Sequence, residues 1–531
     1  MSFSFSEEDV ILDDFDEETP LPLLMDENYE KSLVLPILPL DHYGGQNDLL
    51  GRGAYGAVYI HGRENYPVAV KYFDPAKWTM HSSTLREIAL LIRCNHERIV
   101  DIIDVALEDS SYYLILPLAD GTLKDFIPSL YLENERISII YQMISGIAYL
   151  HTRGILHRDI KPDNVLVYEG KNIRLTDFGL SMTYGCYVPA GLTKKAYTLP
   201  YRAPEVMKKE EYSTKADIWA LGATLFEIVT QGKYGSLFWK KGILNDREAF
   251  EHIHNILELQ EHITMMRKSH VSSEMINLID SLFIMESEER PSIFDIIKDP
   301  IFDSLRVDEE PFPLSCEERL RLRSAYPYPY PYPYPINNNS SSEIYKDFAW
   351  IYGISKKLRL KPRCYHHTIW IYDGFTSLKK IPPQKDRLYL VASLRIAALF
   401  SGEPFPPYEI RNLSSHYFND TDIMNAEKDI LLTLRFDVVQ TLAWDWLKSP
   451  HENIPLVILT LSSVRFELSP EEMGRLARDI MRHIYEEEKS LSSFLRSNLQ
   501  YVHEAIDLAR KAEWIPSTKI QIEKIFKNFT K

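Results

Sequence analysis

The residues best suited to chemistry in this chain lie within one short stretch. His157-Arg158-Asp159-Ile160-Lys161-Pro162-Asp163-Asn164 sets a carboxylate able to act as a base, Asp159, beside a cation, Lys161, and a metal-ligating amide, Asn164. Thirteen residues after Asn164, Asp177-Phe178-Gly179 offers a further carboxylate for a divalent cation. Ala203-Pro204-Glu205 closes the stretch, and Arg290 downstream suits Glu205 as a buried partner. Upstream lies Gly51-x-Gly53-x-x-Gly56-x-Val58, where glycines let the backbone approach phosphates that side chains would block. Alone, that pattern equally fits a glycine-rich hairpin. Val68-Ala69-Val70-Lys71 follows; its lysine can reach into a cleft to hold phosphate oxygens, or snorkel at a sheet edge. Each triplet could arise by chance, whereas their order and spacing together could not.

These residues need a scaffold, and the surrounding pattern predicts one. Between about 43 and 75 the sequence reads strand–turn–strand, with Val58, Ile60, Val68 and Val70 in alternation. A helix follows at Ser82-Ser83-Thr84-Leu85-Arg86-Glu87-Ile88, where Leu85, Ile88, Leu91 and Ile92 share one face. Glu87 has two readings here. It can close a capping box with Thr84 as N-cap, or it can pair with a catalytic cation. Short strands are expected around Ile99–Val105 and Tyr112–Leu116, and helical periodicity dominates from Arg136, broken by loops from about 154 to 205. The expected shape is a small sheet-rich lobe followed by a larger helical lobe ending near Leu305.

With these motifs in place, residues 43–305 resemble the eukaryotic protein kinases. The resemblance implies that Gly51, Gly53, Gly56, Val58, Ala69, Pro117 and Ala119 surround ATP. It also implies that Lys71 contacts the α/β-phosphates while pairing with Glu87. Asn164 and Asp177 would hold Mg²⁺, and Asp159 would orient the substrate hydroxyl. Lys161 resembles the serine/threonine class. Within the superfamily the chain looks most like the cyclin-dependent kinases. Ser83–Glu87 resembles their signature helix, and Thr198-Leu199-Pro200-Tyr201-Arg202-Ala203-Pro204-Glu205 their activation-loop ending, with Pro200 in place of the usual Trp. Thr193 then falls at the activating phosphorylation position, with Arg86 and Arg158 to clamp its phosphate. Met182 stands where the family has a third arginine. Ala54 replaces the usual inhibitory threonine, and Tyr55 is kept. Arg202 and the loop resemblance suggest a proline-directed preference, which Tyr197 and Pro200 leave open.

The rest of the chain divides by composition. Residues 1–42 read as an acidic, disordered tail; residues 1–40 hold eleven Asp and Glu against Lys31 alone, out of a net charge of −16 for the 531-residue chain. Tyr326–Pro335 alternates Tyr and Pro, so residues 306–342 are expected to form an extended linker, either a plain spacer or an SH3-type ligand. Candidate helices at 343–358, 364–378, 385–401, 421–434 and 440–448 follow. Ile371-Tyr372-Asp373-Gly374-Phe375, Leu390–Leu399 and Asp422–Val438 resemble a cyclin box, with Glu427 at the family's glutamate and Arg435-Phe436-Asp437 after it. Phe400 occupies the lysine position of the family's Lys–Glu pair, which breaks that pair. Residues 343–450 thus form a cyclin-box-like domain or an unrelated helical interaction domain, and 451–531 read as helical, a candidate second cyclin repeat.

The expected architecture is multidomain, an α+β bilobal kinase fold followed by an all-α cyclin-box-like domain. The expected partners are protein substrates with Ser/Thr acceptors and an intramolecular contact between the two halves. Acidic balance argues against nucleic-acid binding, and no apolar run is long and uninterrupted enough to span a membrane. Four scattered cysteines without C-x-x-C spacing suit a reducing compartment, cytoplasm or nucleus. The competing expectation is a scaffold whose cyclin-like half recruits a separate kinase or transcription factor. A further one is a kinase activated by a neighbour's cyclin half.

Overall fold

A computed structural model describes residues 35, 37–53, 56–62, 67–73, 81–108, 111–183, 197–238, 245–306, 341–403, 405, 408–410, 418–439, 475–477, 479–480, 502 and 506. Every one of them belongs to the compact unit Leu35–Lys531. The expectations at Ala54, Tyr55, Thr193, the Tyr-Pro linker, the 440–448 helix and nearly all of 451–531 lie outside the described residues.

The first lobe is an antiparallel sheet of β1 (Gln46–Gly53), β2 (Gly56–His61), β3 (Val68–Phe73), β4 (Asp104–Glu108) and β5 (Ser111–Pro117), in the order β1-β2-β3-β5-β4. Its register positions the residues expected from the sequence to surround ATP. Gly53 lies opposite Gly56, Gly51 and Lys71 each lie opposite Val58, and Val68 lies opposite Pro117. Gly56 admits no side chain: a Cβ there would meet the Tyr72 carbonyl oxygen at 1.9 Å. The strand expected at Ile99–Val105 is instead Asp104–Glu108, and Ile99 makes only an isolated bridge to Leu175. The ladder with β5 starts at Asp104, because the chain around Ile99 and Val100 is bonded to Leu175 of the second lobe.

Helix α1 (Ser82–Ile92) lies beside the sheet, and every residue from Ser83 to Leu91 is buried. A helix with one apolar stripe ordinarily buries one face. This one is covered on its other side too, because it packs against a helix of the C-terminal half. The capping-box reading fails. The N-cap is His81, and Thr84 sits one turn inside the helix with its side chain buried. The covering elements take the helix start earlier than the S/T-x-x-E pattern suggests.

The second lobe is built on α2 (Leu123–Phe126), α3 (Glu133–Thr152), α4 (Pro204–Met207), α5 (Lys215–Val229), α6 (Asp246–Glu258), α7 (Glu261–Lys268), α8 (Ser273–Ser281) and α9 (Ile293–Ile296). Two small sheets carry the functional loops. One joins β6 (Gly121–Thr122), β8 (Val165–Tyr168) and β9 (Asn172–Leu175); the other pairs β7 (Ile155–Leu156) with β10 (Met182–Thr183). The C-terminal half begins with α10 (Ser341–Lys357), α11 (Pro362–Leu378), α12 (Asp386–Ser401) and α13 (Asp420–Thr433), each within two residues of its expected bounds. Helix α12 is its centre, with Leu390–Phe400 buried throughout and α1, α11 and α13 packed around it.

Candidate active site and the joint beside it

The lobes meet at a cluster of charged side chains. Lys71 on β3 donates to both carboxylate oxygens of Glu87 on α1, each at 2.7 Å, and lies 3.4 Å from Asp177 Oδ1. Burial alone would pull the Lys71 ammonium down, but Glu87 and Asp177 outweigh it and hold it above the usual lysine range. Burial, opposed by Lys71, pushes the Glu87 carboxyl up to about 7. Asp177 is lowered: burial works the other way, but the nearby Lys71, His157 and Lys161 prevail. Asp177 has φ 62°, a left-handed conformation costly for a non-glycine residue, and Phe178 beside it is fully buried against the His157 ring.

Glu87 sets a pH limit. A raised carboxyl means that lowering the pH through about 7 protonates it and dissolves the ion pair, so any catalytic rate that depends on this pair should fall on that acid limb. Taken by itself, the same shift makes stability decline as pH rises from the unfolded carboxylate range towards 7, because folding takes up a proton. Rate profiles of the parent and of Glu87→Gln check this: the variant should be slow and lack the limb. A limb unchanged in Glu87→Gln would assign it elsewhere.

Asp159 is held from three sides. Its Oδ2 accepts from Lys161 Nζ at 2.6 Å and Asn164 Nδ2 at 2.8 Å, and its Oδ1 accepts from Thr198 Oγ1 at 2.7 Å. Lys161 Nζ also donates to Thr198 Oγ1 at 2.9 Å, closing a ring. The loop carrying Asp159 is itself fixed from below. Asp217, in the first turn of α5 and fully buried, accepts from the backbone N–H groups of His157 and Arg158, from the Tyr197 hydroxyl, and meets His151 Nε2 at 3.1 Å. Burial would raise its carboxyl, yet His151, His157 and these backbone bonds hold it below the ordinary range. Arg158, at φ 66°, sends Nη1 to Met182 Sδ, and Arg86 donates back to the Ser82 carbonyl and hydroxyl on its own helix. The expected pairing of Arg290 with Glu205 is present, at 2.9 Å and 3.2 Å.

The structure thus gathers Lys71, Glu87, Asp159, Lys161, Asn164 and Asp177 at one place. Thr198 and Asp217 belong with them and were not singled out from the sequence. The signal for Asp217 was a lone acidic residue heading the apolar run of α5; for Thr198 there was none beyond its motif. Asp177 and Asn164 supply hard oxygen ligands of the kind Mg²⁺ takes. Among the described residues no cluster of three or more His, Cys, Asp and Glu gathers. A metal here would draw its other ligands from nucleotide phosphates and water, as Mg²⁺ commonly does. Among the described residues, no helix is long and apolar enough to cross a membrane.

A second cluster joins the halves. Arg435, Phe436 and Asp437 follow α13, and the first two adopt left-handed φ of 49° and 62°. Phe436 is fully buried and meets the Tyr112 ring of β5 edge-on at 5.4 Å. Asp437 takes a two-pronged ion pair from Arg93, the residue that ends α1, at 2.7 Å and 2.8 Å. Burial raises the Asp437 carboxyl despite Arg93, so its charge depends on that partner. Arg363 on α11 also reaches Thr183 of β10 at 3.5 Å. Within the C-terminal half, the expected loss of the glutamate's cation is corrected. Glu427 is paired with Arg395, both buried, while Phe400 packs against the His367 ring. Arg395 also lies on α12, close to a turn and a half before Phe400, so it supplies the charge that Phe400 lacks.

A family model described as protein kinase domain matches residues 45–302, and one described as cyclin, N-terminal domain, matches residues 338–439. Among curated proteins the chain is similar to mitogen-activated protein kinase 12 of Mus musculus and of Rattus norvegicus. Each is 28% identical over 297 residues, which is 49% of this chain and 79% of the relative.

Proposed function

Since the chain belongs to the eukaryotic protein kinases and carries a cyclin N-terminal domain after its kinase domain, we propose that it is a cyclin-dependent-type serine/threonine kinase activated in cis. The observation that carries this reading is the double engagement of α1. Glu87 in its middle holds Lys71, and Arg93 at its end is held by Asp437 of the cyclin domain. Fixing one end of a short rigid helix from outside the kinase fixes the ion pair one and a half turns away.

The roles follow from the contacts. A substrate Ser or Thr hydroxyl approaches Asp159, whose orientation Lys161, Asn164 and Thr198 preset, and gives up its proton there as its oxygen bonds to the γ-phosphorus. The bond from that phosphorus to the bridging oxygen breaks, and ADP leaves. Lys71, kept charged and in place by Glu87, offsets charge on the nucleotide phosphates. Mg²⁺, held by Asp177 and Asn164, would neutralise charge on the phosphate oxygens. Because little covalent work falls to the protein, positioning supplies most of the acceleration.

The lip of this site also supports a substrate preference. Tyr197 has φ 62°, and its carbonyl already accepts from Arg202 Nη2 at 2.8 Å, while Arg202 is further tied to Asp246. Tyr197 directly precedes Thr198, so that carbonyl borders the acceptor site. An N–H on the residue after the acceptor would therefore find no acceptor there, at a cost of about 1–3 kcal/mol, whereas proline has no N–H to lose. Purified protein with ATP and Mg²⁺ should phosphorylate Ser-Pro or Thr-Pro peptides roughly 10- to 100-fold better in kcat/KM than the matching Ser-Ala peptides. Equal rates would remove the preference, and phosphate appearing on tyrosine alone would remove the class.

A further inference from the structure

Ahead of β1, residues 35 and 37–43 run along the open edge of the sheet. Strand β4 is that edge. Pro39 bridges Leu107 in parallel, and Leu107 donates its N–H to the Leu38 carbonyl at 3.2 Å. Asp104 at the head of β4 is fully buried. It accepts from the N–H of Ile37 at 2.7 Å, the N–H of Leu38 at 3.0 Å and the Tyr43 hydroxyl at 2.6 Å, besides Val105 next to it. Three of these four bonds come from the segment. Leu40 packs with Val70, Ala106 and Ile115 in a small cluster of its own, while Leu35 is fully buried in the main core. The segment therefore wraps the edge from one apolar cluster to the other.

Its far end reaches the cyclin domain. The Leu35 carbonyl accepts from Arg435 Nη1. Arg435, Phe436 and Asp437, three successive residues, thus meet three different kinase elements: this segment, β5 and the end of α1. Ile37 takes a left-handed φ of 55°, a conformation that a β-branched residue adopts only when its surroundings impose it. The Leu38 N–H bonded to Asp104 and the Arg435 bond to Leu35 lie on either side of that bend.

We propose that residues 35 and 37–43 belong to a strap that locks the cyclin domain to the kinase, with Asp104 as its anchor and Arg435 as its clasp. Asp104 and Arg435 are positioning residues: they act on phosphoryl transfer only through the hold on α1. The kinetic part of this inference rests on the cis-activation reading; the locking part does not. A bare β4 edge would otherwise offer unpaired backbone groups to other chains.

The test uses the full chain with a protease site inserted between Tyr330 and Pro331, cut once after purification. Dissociation of the two halves is then timed, and kcat and the KM for ATP are measured on the uncut protein. Removing residues 1–34, which leaves the strap, should change dissociation by less than about twofold. Removing residues 1–43 should speed it about tenfold or more and lower kcat. Arg435→Ala, at an exposed position whose loss leaves the domain core intact, should also speed dissociation, with Arg435→Lys partly restoring it. Should the longer deletion fail to fold, Arg435→Ala decides. Dissociation within twofold of the parent in both the longer deletion and Arg435→Ala overturns the strap, as does an equal effect from removing 1–34 alone. A parent that transfers no phosphate defeats the kinase reading, while the dissociation arms still decide the lock.

Discussion

Asp159→Asn should reduce kcat by about 10²–10⁴-fold, the range for losing a positioned general base, with ATP binding little changed. The site predicts both halves of that result. Asp159 Oδ2 accepts hydrogen bonds from Lys161 and Asn164, and Oδ1 from Thr198. An amide of the same shape can keep only part of this set, because its NH₂ group would face donors. Lys71, Glu87 and Asp177 are held by bonds of their own that do not run through Asp159, so ATP binding should change little. Titration with a fluorescent ATP analogue alongside the kinase assay checks the split. The same variant separates enzyme from scaffold. A scaffold would keep its biological effect with an amide at the base position, whereas an enzyme would lose it. Activity retained within tenfold would show that another group takes the proton.

Arg93→Ala should lower activity more mildly, by a route outside the site. It leaves Asp437 buried without its cation, and breaking a buried pair in this way costs about 3–5 kcal/mol, a factor of about 10²–10³ or more in how tightly the halves hold. A covalent link gives an effective concentration in about the millimolar range. A joint with micromolar intrinsic affinity would weaken to about 0.1–1 mM and stand open in about a tenth to half of the molecules, in which α1 loses its outside support. The expected result is a fall in kcat towards that of a chain ending at Leu305. The exchanged pair Arg93→Asp with Asp437→Arg should recover part of the loss. Cyclin-independent activity in the Leu305 truncation equal to the full chain would rule out cis activation.

The two lobes and the four described helices after the linker were legible because they rest on local periodicity and on motifs in which neighbours in sequence are neighbours in space. Lys71, Asp159, Asn164 and Asp177 were found from spacing for the same reason. Thr198 was not assigned to Asp159, because a hydroxyl 39 residues away reaches it only through the tertiary fold. Glu87 illustrates the boundary. Its helix was evident from sequence, while the choice between a cap and an ion pair belonged to the sheet that brings Lys71 within 2.7 Å.

By itself the sequence determined the kinds of element, their order and the chemical identity of the groups gathered at the candidate site, all properties carried by short segments. Tertiary structure alone decided that Arg93 pairs with Asp437 across 344 residues, that Arg395 supplies the charge Phe400 cannot, and that Asp104 faces the segment before β1. Those pairings join side chains whose burial makes an unmatched charge or polar group costly, so each needs a partner inside the fold. Which partner that is depends on how the whole chain packs, and no spacing along it records the answer.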